Sequence, residues 1–144
     1  MIGRRMHASA VAIDGRGVLI LGASGGGKSS LALRLIDRGA TLVADDQVEL
    51  WARDGRLRAC ALATIHGKLE VWGIGIFDCD VMAAPIALAI DLDAAPQRLP
   101  APLTIVIEGI ALPVVALAPF DADAPIKVEH ALKRFGLLLE EAAS

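Results

Sequence analysis

The stretch Gly22-Ala23-Ser24-Gly25-Gly26-Gly27-Lys28-Ser29-Ser30 constrains the fold more than any other part of this chain. It satisfies G-x-x-x-x-G-K-[ST] at every fixed position, follows the apolar run Val18-Leu19-Ile20-Leu21 and precedes an apolar helical pattern from Leu31. A strand, a glycine-rich turn and a helix must therefore succeed one another. Glycines let consecutive backbone N–H groups curl around phosphate oxygens, and the start of the helix adds partial positive charge. Lys28 has the reach for β- and γ-phosphates, and the Ser29 hydroxyl is a ligand type that suits Mg²⁺. Residues Gly22 to Ser30 thus read as a nucleotide phosphate site; a plain glycine-rich turn is the alternative.

The flanking segments predict an α/β fold, a P-loop-containing sheet with β-hairpins, a phosphate-loop helix and a C-terminal helix. Ala8 to Ile13 and the run before the loop flank Asp14-Gly15-Arg16-Gly17, a hairpin signal. A turn spanning Asp14 to Gly17 sets His7 opposite Ser24, beside the loop. From Ser29 to Arg38 the residues Leu31, Ala32, Leu35 and Ile36 form a helical stripe, and the off-stripe Leu33 implies cover on more than one side. Gly39 marks the stop. Ala40 to Ala44 then reads as a buried strand ending at Asp45-Asp46. Strand, helix and strand in this order form a βαβ unit with a right-handed crossover. Its parallel strands bring both aspartates to the edge where ligands bind in open α/β sheets.

Further along, Val48–Ala52 and Leu57–Ala61 flank a second hairpin turn at Arg53-Asp54-Gly55-Arg56, and Thr64 to Lys68 reads as a connection. Leu69 to Asp78 is strand-like, with Gly73 and Gly75 suggesting a bulge or a close backbone approach. Ala87–Leu92, Leu103–Glu108 and Leu112–Leu117 read as strands, with a proline-marked loop before Leu103. The last helix is expected from about Lys127 to Glu141, with Val128, Ala131, Leu132, Phe135 and Leu138 on one face. No internal repeat or long linker divides the 144 residues, which suffice for one ordinary domain, so a single domain over 1–144 is expected.

Composition removes several functions. At 55% hydrophobic and 22% charged the chain has the material for a packed core, and a net charge of −3 gives no global argument for nucleic-acid binding. Its apolar runs are too short and interrupted to cross a bilayer, which argues against membrane insertion. The opening Met-Ile-Gly-Arg-Arg-Met-His lacks the hydrophobic region and cleavage site of a signal peptide. Cys60 and Cys79 are isolated, so neither a disulfide framework nor a zinc site is expected. These features together predict a cytoplasmic protein.

A phosphate loop permits hydrolysis, kinase chemistry or a nucleotide-controlled switch, and the residues opposite the γ-phosphate decide among them. Of two adjacent carboxylates, one can serve a metal while the other accepts a proton from an attacking hydroxyl. His7 joins Asp45 and Asp46 as a candidate by its position. Glu70 is ambiguous on an alternating strand, and His66 and His130 carry no positional support.

His7, then Ala12-Ile13-Asp14-Gly15, the loop from Gly22 to Ser29, and Arg38-Gly39-x-x-Leu42-Val43-Ala44-Asp45-Asp46-x-Val48-Glu49 resemble the catalytic domain of bacterial HPr kinase/phosphorylase. Leu69 to Asp78 resembles that family's second characteristic stretch. The order and spacing agree from His7 through Glu49, and the rest of the chain follows more loosely. The resemblance implies an ATP-dependent protein-serine kinase acting on a regulatory serine of an HPr-like phosphocarrier protein. Lys28 and the loop would bind ATP, Ser29 and Glu70 would serve Mg²⁺ with Asp45 in support, and His7 would belong to the active site. Asp46 would accept the proton in phosphorylation and donate it in the reverse attack by phosphate.

Three departures qualify the likeness. Beginning almost at His7, the chain resembles a short proteobacterial form without the N-terminal domain of longer members. Ala118 to Pro125 stands where those members carry an arginine-containing stretch linked to dephosphorylation, which favours the kinase direction over phosphorolysis. Ser30 replaces the acidic residue usual after the Lys-Ser pair. The family's hexamers imply a homo-oligomer. A P-loop small-molecule kinase or NTPase is the first rival; it lacks an arginine-rich lid in this sequence. A nucleotide-sensing binding module is the second, and it has no need of a proton acceptor.

Overall fold

A computed structural model describes residues 4–62, 68–71, 74–78, 83–97 and 103–139; for 68–71, 77 and 78 the backbone alone is described. In chain order its elements are β1 (Arg4–Met6), β2 (Ser9–Ile13), β3 (Arg16–Leu21), α1 (Lys28–Asp37), β4 (Thr41–Ala44), β5 (Val48–Arg53), β6 (Arg56–Ala61), β7 (Lys68–Val71), β8 (Gly75–Asp78), β9 (Ala84–Asp91), β10 (Leu103–Ile107), β11 (Ile110–Ala116) and α2 (Ala124–Phe135). This is a mixed α/β fold. Among the described residues no helix is long and apolar enough to cross a membrane.

Three hairpins have two-residue turns in which both residues take positive φ, at Asp14-Gly15, Asp54-Gly55 and Glu108-Gly109. That conformation matches the twist of the flanking strands and explains the glycine second in each pair. The first turn is therefore tighter than the Asp14–Gly17 turn expected from sequence. Ser9 faces Ile20 and Ile13 faces Arg16, so the hairpin does not set His7 opposite Ser24. The chain leaves β2 before His7, which is placed by other strands.

The main sheet runs β1-β5-β6-β9-β3-β2-β4, with β11 joined to β9 and β10 to β11. β2 pairs antiparallel with both β3 and β4, so β3 and β4 are parallel to each other but not adjacent. The expected βαβ unit is thus split by β2. Both carboxyl ends still reach one edge, and the amino end of β2 reaches that edge between them. β9 is parallel to β3, and β11 to β9, so their carboxyl ends arrive there too.

Side chains alternate across a strand, and the central strands use both faces. Val18 and Ile20 of β3 join Leu31, Leu35, Leu88, Val128 and Leu132 in a core under the two helices. Leu19 faces the other way, into a second core with Ala10, Val43, Leu50, Leu57 and Ile86 inside the curl of the sheet. Small Ala, Val, Leu and Ile side chains fill both layers, as the low aromatic content requires.

Helix α1 buries Leu31, Ala32 and Leu35, whereas the off-stripe Leu33 is exposed among the described residues. It ends in a Schellman arrangement: Gly39 at φ 110 allows the Gly39 and Ala40 amides to donate to the Ile36 and Leu35 carbonyls. Arg38 then clamps Glu129 of α2 through Nε–Oε2 at 2.9 Å and Nη2–Oε1 at 2.8 Å. Helix α2 starts at Ala124 with a proline in its first turn and stops at Phe135, before the expected Glu141; Leu138 lies beyond it and is exposed. Gly136 leaves the helix with extended backbone, which carries Leu138 away from the buried face.

Leu69 to Asp78 is not one bulged strand. β7 and β8 pair antiparallel as a separate two-stranded sheet, with Glu70 opposite Ile76. Among the described residues nothing lies within 4 Å of the position a Gly75 side chain would take, and its φ of 144 is one that L side chains rarely adopt. Gly73, Cys79, His66, the Thr64–Gly67 part of the expected connection, Pro100 and Pro102 lie outside the described residues.

Candidate active site

The glycine loop leaves β3 at Gly22 and enters α1 at Lys28. The Gly26 amide donates to the Ala23 carbonyl at 2.8 Å, closing a turn over Ser24 and Gly25. Gly27 occupies the helix N-cap at φ 99, and a side chain there would meet Pro119 Cβ at 2.8 Å. Both the backbone angle and the neighbour demand glycine at this position. Lys28 is buried, and its ammonium donates back to the carbonyls of Gly22 at 2.8 Å and Ala23 at 3.0 Å. Its charge is therefore held against the loop that the sequence singled out, while Ser24, Gly25 and Ser30 remain exposed.

The two adjacent aspartates part company. Asp45 is buried and its Oδ1 accepts from Ser29 Oγ at 2.7 Å and from Ser9 Oγ at 2.8 Å. Asp46 is exposed, and its Oδ1 lies 2.6 Å from His7 Nε2. The backbone produces this split. Asp46 has φ 69, and the Gln47 amide donates to the Asp45 carbonyl at 2.7 Å across it, a three-residue turn rarely built around a non-glycine residue. Such strain persists where surrounding contacts determine it and gathers at functional sites.

Two strand pairings bring the partners in. Met6 of β1 faces Val48 of β5, which lays the following His7 beside the Asp45–Gln47 turn. Between β2 and β4 the register shifts after Ala10, so Ala10 faces Ala44 while Val11 faces Leu42. Continued past Ala10, the shifted register sets Ser9 opposite Asp45, and without it Ser9 would meet Ala44. Bulges of this kind re-aim side chains next to active sites.

Several neighbours were not legible beforehand. Ser9 reads as an ordinary strand residue, and only the bulge reveals its partner. Asp93, after β9, accepts from the Ala23 amide at 3.2 Å, and Asp91 accepts from the Asp93 and Ala94 amides. Their only signal is position, at the carboxyl end of a strand parallel to β3. Arg34 of α1 holds the carbonyls of Pro119 and Asp121, which fixes the Pro119–Phe120 corner against Gly27. Pro119 and Phe120, within the segment Ala118 to Pro125 singled out by its acidic and apolar content, thus stand against the loop at Gly27.

Oxygen ligands for a hard cation are at hand, since Mg²⁺ takes one or two carboxylates or hydroxyls and completes its shell with water and phosphate. The Ser29 hydroxyl and the Asp45 carboxylate fit that donor set. Among the described residues no three His, Cys, Asp or Glu side chains gather as a metal cluster. Glu70 has its backbone in β7, which runs beside α1; its side chain is outside the described part of the structure. His130 is exposed on α2, away from this group, and Cys60 is a free thiol whose pKa burial raises.

Comparison with known proteins shows the family to which the chain belongs. The family described as HPr Serine kinase C-terminal domain matches residues 2–84. The HPr kinase/phosphorylase of Clostridium novyi is 51% identical over 74 residues, covering 51% of this chain and 24% of its own length. That of Limosilactobacillus reuteri is 45% identical over 80 residues, covering 55% of this chain and 25% of its own length. The chain therefore spans about a quarter of the length of the curated relatives it matches. A solved structure of the Hpr(Ser) kinase/phosphatase from Coxiella burnetii aligns with a TM-score of 0.77 at 32% identity, covering 90% of this chain and 94% of that one.

Proposed function

Because the chain belongs to the HPr serine kinase C-terminal domain family, we propose that it is an ATP-dependent kinase of a regulatory serine on an HPr-like phosphocarrier protein. The observation that carries this reading is the divergence of two adjacent carboxylates, one buried on Ser29 and one exposed on His7. A hydrolase or sensor needs the first; transfer to a hydroxyl uses the second as well.

Residues Gly22 to Ser30 form a phosphate-binding loop whose amides and Lys28 hold the triphosphate of ATP. Ser29 and Asp45 would hold Mg²⁺, with Glu70 as a further ligand by the family resemblance, and a cation bound there would neutralise phosphate charge. Asp46 accepts the serine proton as the serine oxygen attacks the γ-phosphorus; the bond to the β–γ bridging oxygen breaks and ADP leaves. His7 holds the Asp46 carboxylate toward the incoming hydroxyl.

Residues 1–144 act as one catalytic domain in this reading, with a homo-oligomer as the family's form of assembly. The acidic and apolar corner at Pro119–Asp121 favours transfer to serine over attack by inorganic phosphate. A small-molecule kinase is the runner-up, since the phosphate loop and Asp46 would serve it equally.

Incubating the protein with HPr, ATP and Mg²⁺ tests the proposal, with mass spectrometry of the HPr. Phosphoserine must appear, and must vanish with EDTA and with Lys28→Ala. Unmodified HPr alongside ATP turnover would overturn it in favour of an NTPase or a different acceptor. Phosphoserine-HPr with inorganic phosphate, followed by its loss as pyrophosphate, measures the reverse direction.

A further inference from the structure

We infer that Ser9 is a positioning residue that ties the metal-binding half of the site to the proton-accepting half. The inference rests on the kinase reading above and deepens it. Ser9 is fully buried at the amino end of β2. Its hydroxyl donates to Asp45 Oδ1 at 2.8 Å and accepts from the Asp46 backbone amide at 3.2 Å. One oxygen thus grips both carboxylate residues, by side chain in Asp45 and by backbone in Asp46.

Each grip has a separate consequence. Asp45 Oδ1 also accepts from Ser29, so Ser9 and Ser29 both donate to one carboxylate oxygen and help fix its direction. The hydrogen bond from the Asp46 amide braces a residue at φ 69, a strained conformation for a residue other than glycine. Loosening that brace lets the Asp45–Gln47 turn relax and swings the Asp46 carboxylate away from the position set by His7. The geometry is reached only through the β2–β4 bulge, which exchanges Ala44 for Asp45 opposite Ser9. A buried serine serving solubility or packing alone would need neither the bulge nor two bonds to consecutive residues.

The hydroxyl is fully buried and engaged with Asp45 and Asp46, so its removal should damage transfer more than binding. Ser9→Ala is expected to lower kcat for HPr phosphorylation about 10–100-fold, the scale of a small misplacement of reacting groups. The KM for ATP should stay within about threefold, as fits an interaction made only on the way to the transition state. Ser9→Thr, which keeps the hydroxyl, should recover most of kcat. A Ser9→Ala kcat within about twofold of the parent overturns the inference, as does a defect confined to KM or a threonine variant no better than alanine.

A second readout needs neither a variant nor activity. Hydrogen exchange in the unaltered protein should show the Asp46 amide protected although its side chain is exposed; exchange at the rate of an unstructured peptide overturns the link. If HPr remains unmodified while the Asp46 amide is protected, the kinase reading fails and the Ser9 contact stands.

Discussion

His7 Nε2 and Asp46 Oδ1 stand 2.6 Å apart although 39 positions separate the two residues in sequence. The contact joins the β1–β2 corner to the turn after β4 on the exposed side of the site. If Asp46 accepts the proton, Asp46→Asn should lower the rate of HPr phosphorylation by about 10²–10⁴-fold, the range of a general base. ATP binding measured by calorimetry should persist, because Asp46 does not face the glycine loop through any hydrogen bond among the described residues. An asparagine variant that transfers phosphate at the parent rate would remove Asp46 from the mechanism.

Gly27 combines φ 99 with a neighbouring Pro119 at 2.8 Å from any added side chain. Gly27→Ala should cost about 1–3 kcal/mol of stability from the backbone angle alone. The same change displaces the loop from the Pro119–Phe120 corner, so ATP should lose its power to raise the melting temperature. Thermal melts with and without ATP separate the two effects. Full ATP-dependent stabilisation in the variant would show that the corner can retreat without disturbing the loop.

Leu35 and Leu33 test the covering of α1. Leu35 is fully buried in the core beneath the two helices, whereas Leu33 is 37% exposed. Leu35→Ala should destabilise by about 2–5 kcal/mol, while Leu33→Ala should stay within about 0.5 kcal/mol. Equal losses in urea unfolding would mean that a second layer covers the helix in solution, as a homo-oligomer could supply.

The Arg38–Glu129 clamp predicts a pH dependence. The hydrogen bond from Arg38, which outweighs the opposing effect of burial and is reinforced by the Arg38 charge, holds the Glu129 carboxyl below its usual value of 4.5. A depressed carboxyl pKa gives stability that is present above the unfolded value and is lost as pH falls through the folded one. Glu129→Gln should therefore lower the melting temperature at neutral pH, and the gap should close as the buffer is taken below 4.5. The difference will be small, because Arg38 faces solvent. A gap that widens in acid would contradict the clamp.

Much of this was legible because the chemistry lies in local signals. Strand, glycine loop and helix follow from the spacing around Lys28, and the Asp-Gly turns announce two hairpins. Asp45 and Asp46 reach the predicted edge even though β2 divides the βαβ unit, since two antiparallel pairings restore a parallel relation. The two-residue turn does not support the register that sets His7 opposite Ser24, and His7 reaches Asp46 through β1 and β5 instead. Ser9, Asp93 and the Arg34 anchor were hidden because each depends on partners more than thirty residues away, which no periodicity encodes. Leu33 and Leu138 are apolar yet exposed, and α2 ends at Phe135 before its apolar stripe does.

The insertion of β2 between β3 and β4 gives the Asp14-Gly15 turn a duty beyond joining two strands. Ser9 sits about five strand residues from that turn, roughly 17 Å away. Lengthening the turn shifts the pairing of β2 with both neighbours, and a one-residue slip turns inward side chains outward. The turn therefore acts as the zero mark of a ruler, and an insertion there is expected to silence chemistry it never touches.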